Sequence, residues 1–185
     1  MTKQNPLTPL FLIIGLGNPG ILYKNNRHNA GRIFIDWFRK YINASPWKPK
    51  SKLSVILSNR DNLILAKTLV FMNNSGVAVK KVSAYYKIPS TNIIIVQDDS
   101  DIFLGKYKVS FNRGSAGHKG INSIIQNLKT KKIYRIRIGI RSPSATGIKA
   151  EKLVLQNFTP GEKKAIVKIF PVLAQRIYEI IKKTH

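Results

Sequence analysis

The chain has 185 residues, 43% of them hydrophobic, with 32 Lys+Arg against 8 Asp+Glu and a formal net charge of +24. That length suits one domain with a sizeable core and excludes a disordered or fibrous chain. So basic a surface favours a polyanion (nucleic acid, a phosphate-rich substrate or an anionic membrane face), with a lysine-rich solvated surface as the plain alternative.

There is no cysteine, so disulfides, a thiol nucleophile and Cys-ligated zinc or iron–sulfur are excluded. The only histidines are His28, His118 and His185, and a His-rich metal site is not expected. No apolar run approaches the roughly 18–20 residues of a membrane helix, and the first residues lack the apolar segment of a secretory signal. The expectation is a soluble cytoplasmic monomer, residues 1–9 forming a flexible N-terminal extension.

In chain order, the apolar run 10–14 reads as a buried strand that ends in the tight loop Gly15-Leu-Gly-Asn-Pro-Gly20. Ile33, Phe34, Trp37, Phe38 and Tyr41 recur at helical spacing and predict a helix over 29–42. Residues 43–52 hold Pro46 and Pro49 and read as a loop; 53–58 and 63–67 form a hairpin around the turn 59–62. A second helix carries Val77, Val79, Val82 and Tyr86 and closes before Pro89. Residues 92–97 hold four consecutive apolar residues, a strand buried on both faces that stops at the acids Asp98, Asp99 and Asp101.

Residues 107–111 alternate as a strand. The glycine-rich stretch 114–120 leads into a helix with Ile121, Ile124, Ile125 and Leu128 on one face. Residues 133–140 read as a half-buried strand whose basic face carries Arg135 and Arg137, and 141–149 as a mobile loop. The last helix keeps its apolar stripe across Pro171, which predicts a kink rather than a stop. The alternation of strands and helices predicts a single α/β domain: a mixed, mostly parallel twisted sheet with helices on both faces.

In such sheets ligands bind beyond the carboxyl ends of the strands. Asn18, His28 and Asp98, distant in sequence, are therefore expected to meet. The acids concentrate there too: three of eight fall within 98–101, and none occurs over 102–150, which holds eleven Lys and Arg. A carboxylate beside histidine fixes its tautomer and raises its basicity; without a Ser or Cys nucleophile in a recognisable elbow, such a pair points to an activated water. Uncharged Asn18 and Asn73 can donate to a carbonyl or developing oxyanion. Gly15–Gly20 resembles a dinucleotide loop only partly, with the third glycine one residue early, Pro19 lacking a donor, and no acid at a second strand end. A nucleotide-dependent oxidoreductase is correspondingly disfavoured.

Several motifs together resemble the bacterial-type peptidyl-tRNA hydrolase family: Gly15-Leu-Gly-Asn-Pro-Gly20, Tyr23, Arg27-His-Asn-Ala-Gly31, Phe71-Met-Asn-Asn-Ser-Gly76, Val96-Gln-Asp-Asp-Ser-Asp101, Gly114-Ser-Ala-Gly-His-Lys-Gly120 and Arg135-Ile-Arg-Ile-Gly-Ile140. The resemblance implies an esterase that cleaves peptide from the 3′ ribose of tRNA without a cofactor. It assigns His28 as the base, Asp98 as its orienter and Asn18 to the first peptide amide. Asn73 would bind substrate, and Tyr23, Asn29, Phe71 and Met72 would line the peptide and terminal-adenosine channel. Lys106, Lys108, Lys119 and Arg137 would hold tRNA. The alternative within the same fold is a non-catalytic RNA-binding protein. Two positions depart from the family pattern: Gln97 replaces its usual histidine, and Lys119 its usual substrate-binding asparagine. A lysine donates but cannot accept a hydrogen bond. His118 reads as a structural residue of its loop, with a second base as the lesser reading.

Overall fold

The computed structural model describes residues 9–184; the expected N-terminal extension lies, apart from Pro9, outside them. Seven strands form one sheet: β1 (Phe11–Gly15), β2 (Lys48–Lys50), β3 (Val55–Arg60), β4 (Leu63–Thr68), β5 (Ile93–Phe103), β6 (Tyr107–Phe111) and β7 (Tyr134–Arg141). Their order is β2-β3-β4-β1-β5-β7-β6. β4, β1, β5 and β7 run parallel, and β2, β3 and β6 add antiparallel edges. The helices are α1 (Ala30–Tyr41), α2 (Ser75–Tyr85), α3 (Lys119–Leu128), α4 (Ala150–Leu153), α5 (Pro160–Lys168) and α6 (Phe170–Lys183).

The two sheet faces build two cores. On one, Phe34, Ile35 and Phe38 of α1 meet Phe170, Leu173 and Ile177 of α6 over Ile13, Val96 and Ile138. On the other, Val79 and Val82 of α2 and Ile121 and Ile124 of α3 cover Leu12, Ile14 and Ile95. β1 and the first part of β5 are buried on both faces, as their continuous apolar runs require.

Four expectations are corrected. Residues 48–50, read as loop, form edge strand β2, where Pro49 opposite Ile56 costs no interior ladder bond. β5 does not stop at the acids; it runs through Asp98 and Asp99, paired with Ile138 and Gly139 of β7. The basic face of β7 is largely covered, with Arg135 only 2% exposed. The C-terminal stripe is divided between α5 and α6 at Ile169, because Pro171 opens α6 and has no N–H to continue the ladder. Apart from these four, in residues 141–149 Arg141 donates to the Ser100, Ala145 and Ile148 carbonyls, and Ala145 enters the core.

Candidate active site

Gly15, in the loop that partly resembles a dinucleotide loop, and Gly31 serve packing. A Cβ on Gly15 would strike the Gly31 carbonyl, and one on Gly31 would strike the Val96 carbonyl. The start of α1 is thus pressed against β1 and β5. The single turn of 3-10 helix before it, Arg27–Asn29, is thereby held beside the end of β5. Two residues past Val96, on the same side of the strand, stands Asp98.

His28 Nδ1 lies 2.9 Å from each carboxylate oxygen of Asp98. From the other side, His118 Nε2 lies 3.0 Å from Asp98 Oδ1. His118 is the N-cap of α3, its Nδ1 accepting from the Ile121 N–H, so its proton sits on Nε2 and is donated to Asp98. A proton on His28 Nδ1, facing the same carboxylate, leaves the His28 Nε2 lone pair free. Asp98 is 1% exposed. Burial pushes its carboxyl up, but the two imidazoles, by their charge when protonated and by their hydrogen bonds, outweigh that and hold it ionised far below the usual carboxylate range.

Asn18 is fixed from three directions. Its N–H donates to Asn29 Oδ1, its carbonyl accepts from Asn29 Nδ2, and its side-chain oxygen accepts from the Met72 N–H at 2.8 Å. The Asn18 amide nitrogen is left without a partner among the described residues and borders a cavity of about 580 Å³. His28, Phe71, Met72, Asn73, Asp98, His118 and Lys119 also line that cavity.

Of the expected site residues, the cavity thus gathers Asn18, His28, Phe71, Met72, Asn73, Asp98 and Lys119. Tyr23 is not among the lining residues; it packs edge-on against Phe71, which is, with ring centroids 6.0 Å apart. Asn29 is corrected: it is 2% exposed and braces Asn18 from behind rather than lining the channel. Lys106 and Lys108 are exposed on the β6 edge, and neither lines the cavity. Lys108 is the cross-strand neighbour of Arg137, whose guanidinium is committed to Asp99 at 2.6 Å.

Sequence reasoning missed the contact of His118 with Asp98, although its glycine-rich block was a signal. It also missed the cavity wall formed by Glu151, Val154 and Leu155. That C-terminal segment is joined to the histidine turn by the Arg27 N–H to the Gln156 carbonyl and the His28 N–H to the Val154 carbonyl, each 2.9 Å. Arg27 itself, 4% exposed, donates to both oxygens of Glu162 at 2.8 Å. Burial raises the Glu162 carboxyl, but hydrogen bonds from Arg27, the Thr159 N–H and Ser142 outweigh it and leave it lowered.

Because both carboxyls are lowered on folding, Asp98 and Glu162 contribute stability that is complete above the unfolded carboxylate pKa of about 4 and is lost as pH falls through their folded values. Thermal melts are expected to show Tm falling progressively below about pH 4. A Tm independent of pH down to 2 would contradict this account.

The family model described as peptidyl-tRNA hydrolase matches residues 12–185 of this chain. The peptidyl-tRNA hydrolase of Pseudothermotoga lettingae is 38% identical over 158 residues, covering 85% of this chain and 83% of the relative. That of Mycoplasma mycoides is 44% identical over 131 residues, 70% of each chain. Among solved structures, peptidyl-tRNA hydrolase from Acinetobacter baumannii superposes with a TM-score of 0.84 at 26% identity, covering 95% of this chain and 90% of that one. The matched residues include both arms of the His28–Asp98 pair and the loops that converge on it: the chain belongs to the peptidyl-tRNA hydrolase family.

Proposed function

We propose that the chain hydrolyses the ester bond between peptide and tRNA in peptidyl-tRNA, releasing free tRNA and peptide, as a monomer in the cytoplasm. The observation that carries the mechanism is the buried His28–Asp98 pair, which lines one cavity with Asn18, whose side-chain nitrogen has no partner among the described residues. His28 Nε2 takes a proton from water as the oxygen attacks the ester carbonyl. Asn18 and Asn73 donate to the peptide and to the oxyanion. Collapse breaks the bond to the 3′ ribose oxygen, and the imidazolium returns its proton to that oxygen. Asp98 stabilises the imidazolium while it exists. Among the described residues no helix is long and apolar enough to cross a membrane.

The defining assay compares release of tRNA from an N-acetylated aminoacyl-tRNA with release from the unblocked form. The blocked substrate is expected to be cleaved and the free one spared. Equal cleavage would remove Asn18 as the reader of the first amide, and no cleavage of either would overturn the activity.

Lys119 supplies exposed charge at the cavity wall, and Lys106 and Lys108 supply it at the β6 edge. Phosphate contacts do not read sequence, which suits an enzyme that accepts many tRNAs. Binding of tRNA is therefore expected to weaken steeply with salt, and Lys108→Ala is expected to lower the slope of log Kd against log salt by about one. A slope unchanged in Lys108→Ala would remove that residue from the interface. Nothing in the site favours the binding-only alternative.

A further inference from the structure

We propose that His28, Asp98 and His118 form a latent site for a late first-row divalent cation, with Zn²⁺ as its representative, and that occupancy switches the esterase off. The inference rests on His28 as the general base. Imidazole nitrogens with a carboxylate are a donor set suited to zinc and its neighbours. One ligand atom from each residue lies within 4.8 Å of the others. In a tetrahedral zinc site, neighbouring ligand atoms stand roughly 3.4 Å apart. The two nitrogen–oxygen pairs, at 2.9 and 3.0 Å, are already near that spacing, so the main movement required is of the imidazoles toward one another.

Entry is open and the local charge favours it. All three residues line the cavity, which offers a water to the fourth position of the metal. Asp99, Asp101 and Glu151 line it as well; Lys119 is on the same wall and Arg137 pairs with Asp99, but with four of the chain's eight acids here the carboxylates outnumber these cations despite the net charge of +24. The surroundings of the site draw cations, while the outer surface draws polyanions.

The shut-off follows from proton bookkeeping within each ring. A neutral imidazole carries one proton on its two nitrogens. A metal on His28 Nδ1 obliges that proton to sit on Nε2. The cavity-facing nitrogen then becomes a donor with no lone pair for water's proton. A metal on His118 Nε2 likewise moves its proton to Nδ1, which no longer accepts from the Ile121 N–H. Each ring keeps one proton, so none is released. The broken cap of α3 opposes binding, and a chelator should therefore reverse it.

The test titrates Zn²⁺ alone into wild-type protein and into His118→Asn, by isothermal calorimetry and in the blocked-substrate assay. Asparagine retains an N-cap acceptor for α3, and a thermal melt verifies folding. A 1:1 isotherm in wild type, weakened more than about tenfold in His118→Asn, with activity lost on saturation and restored by EDTA, is the expected result. No isotherm, or equal affinity in His118→Asn, overturns the site. A His118-dependent isotherm without loss of activity overturns the shut-off. Failure of the base reading shows separately, as full metal-free activity in His28→Ala.

Discussion

Replacing His28 by alanine is expected to lower kcat for an N-acetylated aminoacyl-tRNA by about 10²–10⁴-fold, the usual contribution of a positioned general base. KM should change little, because the rest of the cavity, with Phe71, Met72 and Asn73 on its wall, stays in place. A loss confined to kcat marks an interaction made only in the transition state. Asp98→Asn should fall in the same range for a different reason. The new amide can offer an N–H to His28 Nδ1, which stabilises the tautomer whose cavity-facing Nε2 already carries a proton. The base is then present but facing the wrong way. Imidazole added to the solution should partly restore His28→Ala, since the vacated volume opens on the cavity, and should leave Asp98→Asn unrescued. Wild-type kcat in His28→Ala would move the base elsewhere, with His118 next to test.

The parts of this arrangement legible in sequence were those with a local signal. β1 and the first half of β5 are continuous apolar runs, α1 carries its core residues at helical spacing, and the alternation of such units fixes the sheet's parallel middle. The rule that ligands lie beyond the carboxyl ends of parallel strands then places Asn18, His28 and Asp98 together. β2 was hidden because its three residues include a proline tolerated only at an edge. Asn29 was placed in the channel by the resemblance, and it follows His28, which does line the cavity; only the folded turn shows that its amide faces backward to Asn18. The contact of His118 with Asp98 depends on how the glycine-rich loop returns over the strand end. The pairing of Arg27 with Glu162 spans 135 residues, and no local pattern announces it.

That last pair carries the largest expected effect on stability. The side chains of Arg27 and Glu162 are 5% and 13% exposed. Arg27 also donates to the Ile140 carbonyl at 3.0 Å and stacks its guanidinium 5.2 Å from the centroid of Phe158. Glu162→Ala leaves this cation buried with one hydrogen bond, and it removes the carboxylate that accepts from the Thr159 N–H in the capping box of α5. Breaking a buried pair from one side costs about 3–5 kcal/mol, and the partial exposure of Glu162 places the expectation near 3. For a chain of this size that lowers Tm by about 6–12 °C. Glu162→Gln, which keeps the shape and one acceptor, should fall between. Arg27→Met combined with Glu162→Leu should recover much of the loss, because no unpaired charge remains and the interface is already lined by Phe158. Activity should follow a different order. The pair fastens the segment bearing Val154, Gln156 and the cavity wall to the turn bearing His28, so the apolar double variant is expected to regain Tm more fully than kcat. If Glu162→Ala melted within about 1 °C of wild type, the pair would be an ordinary surface contact. Parallel recovery of Tm and kcat in the double variant would show that packing alone, rather than the directed hydrogen bonds of Arg27, holds His28 in register.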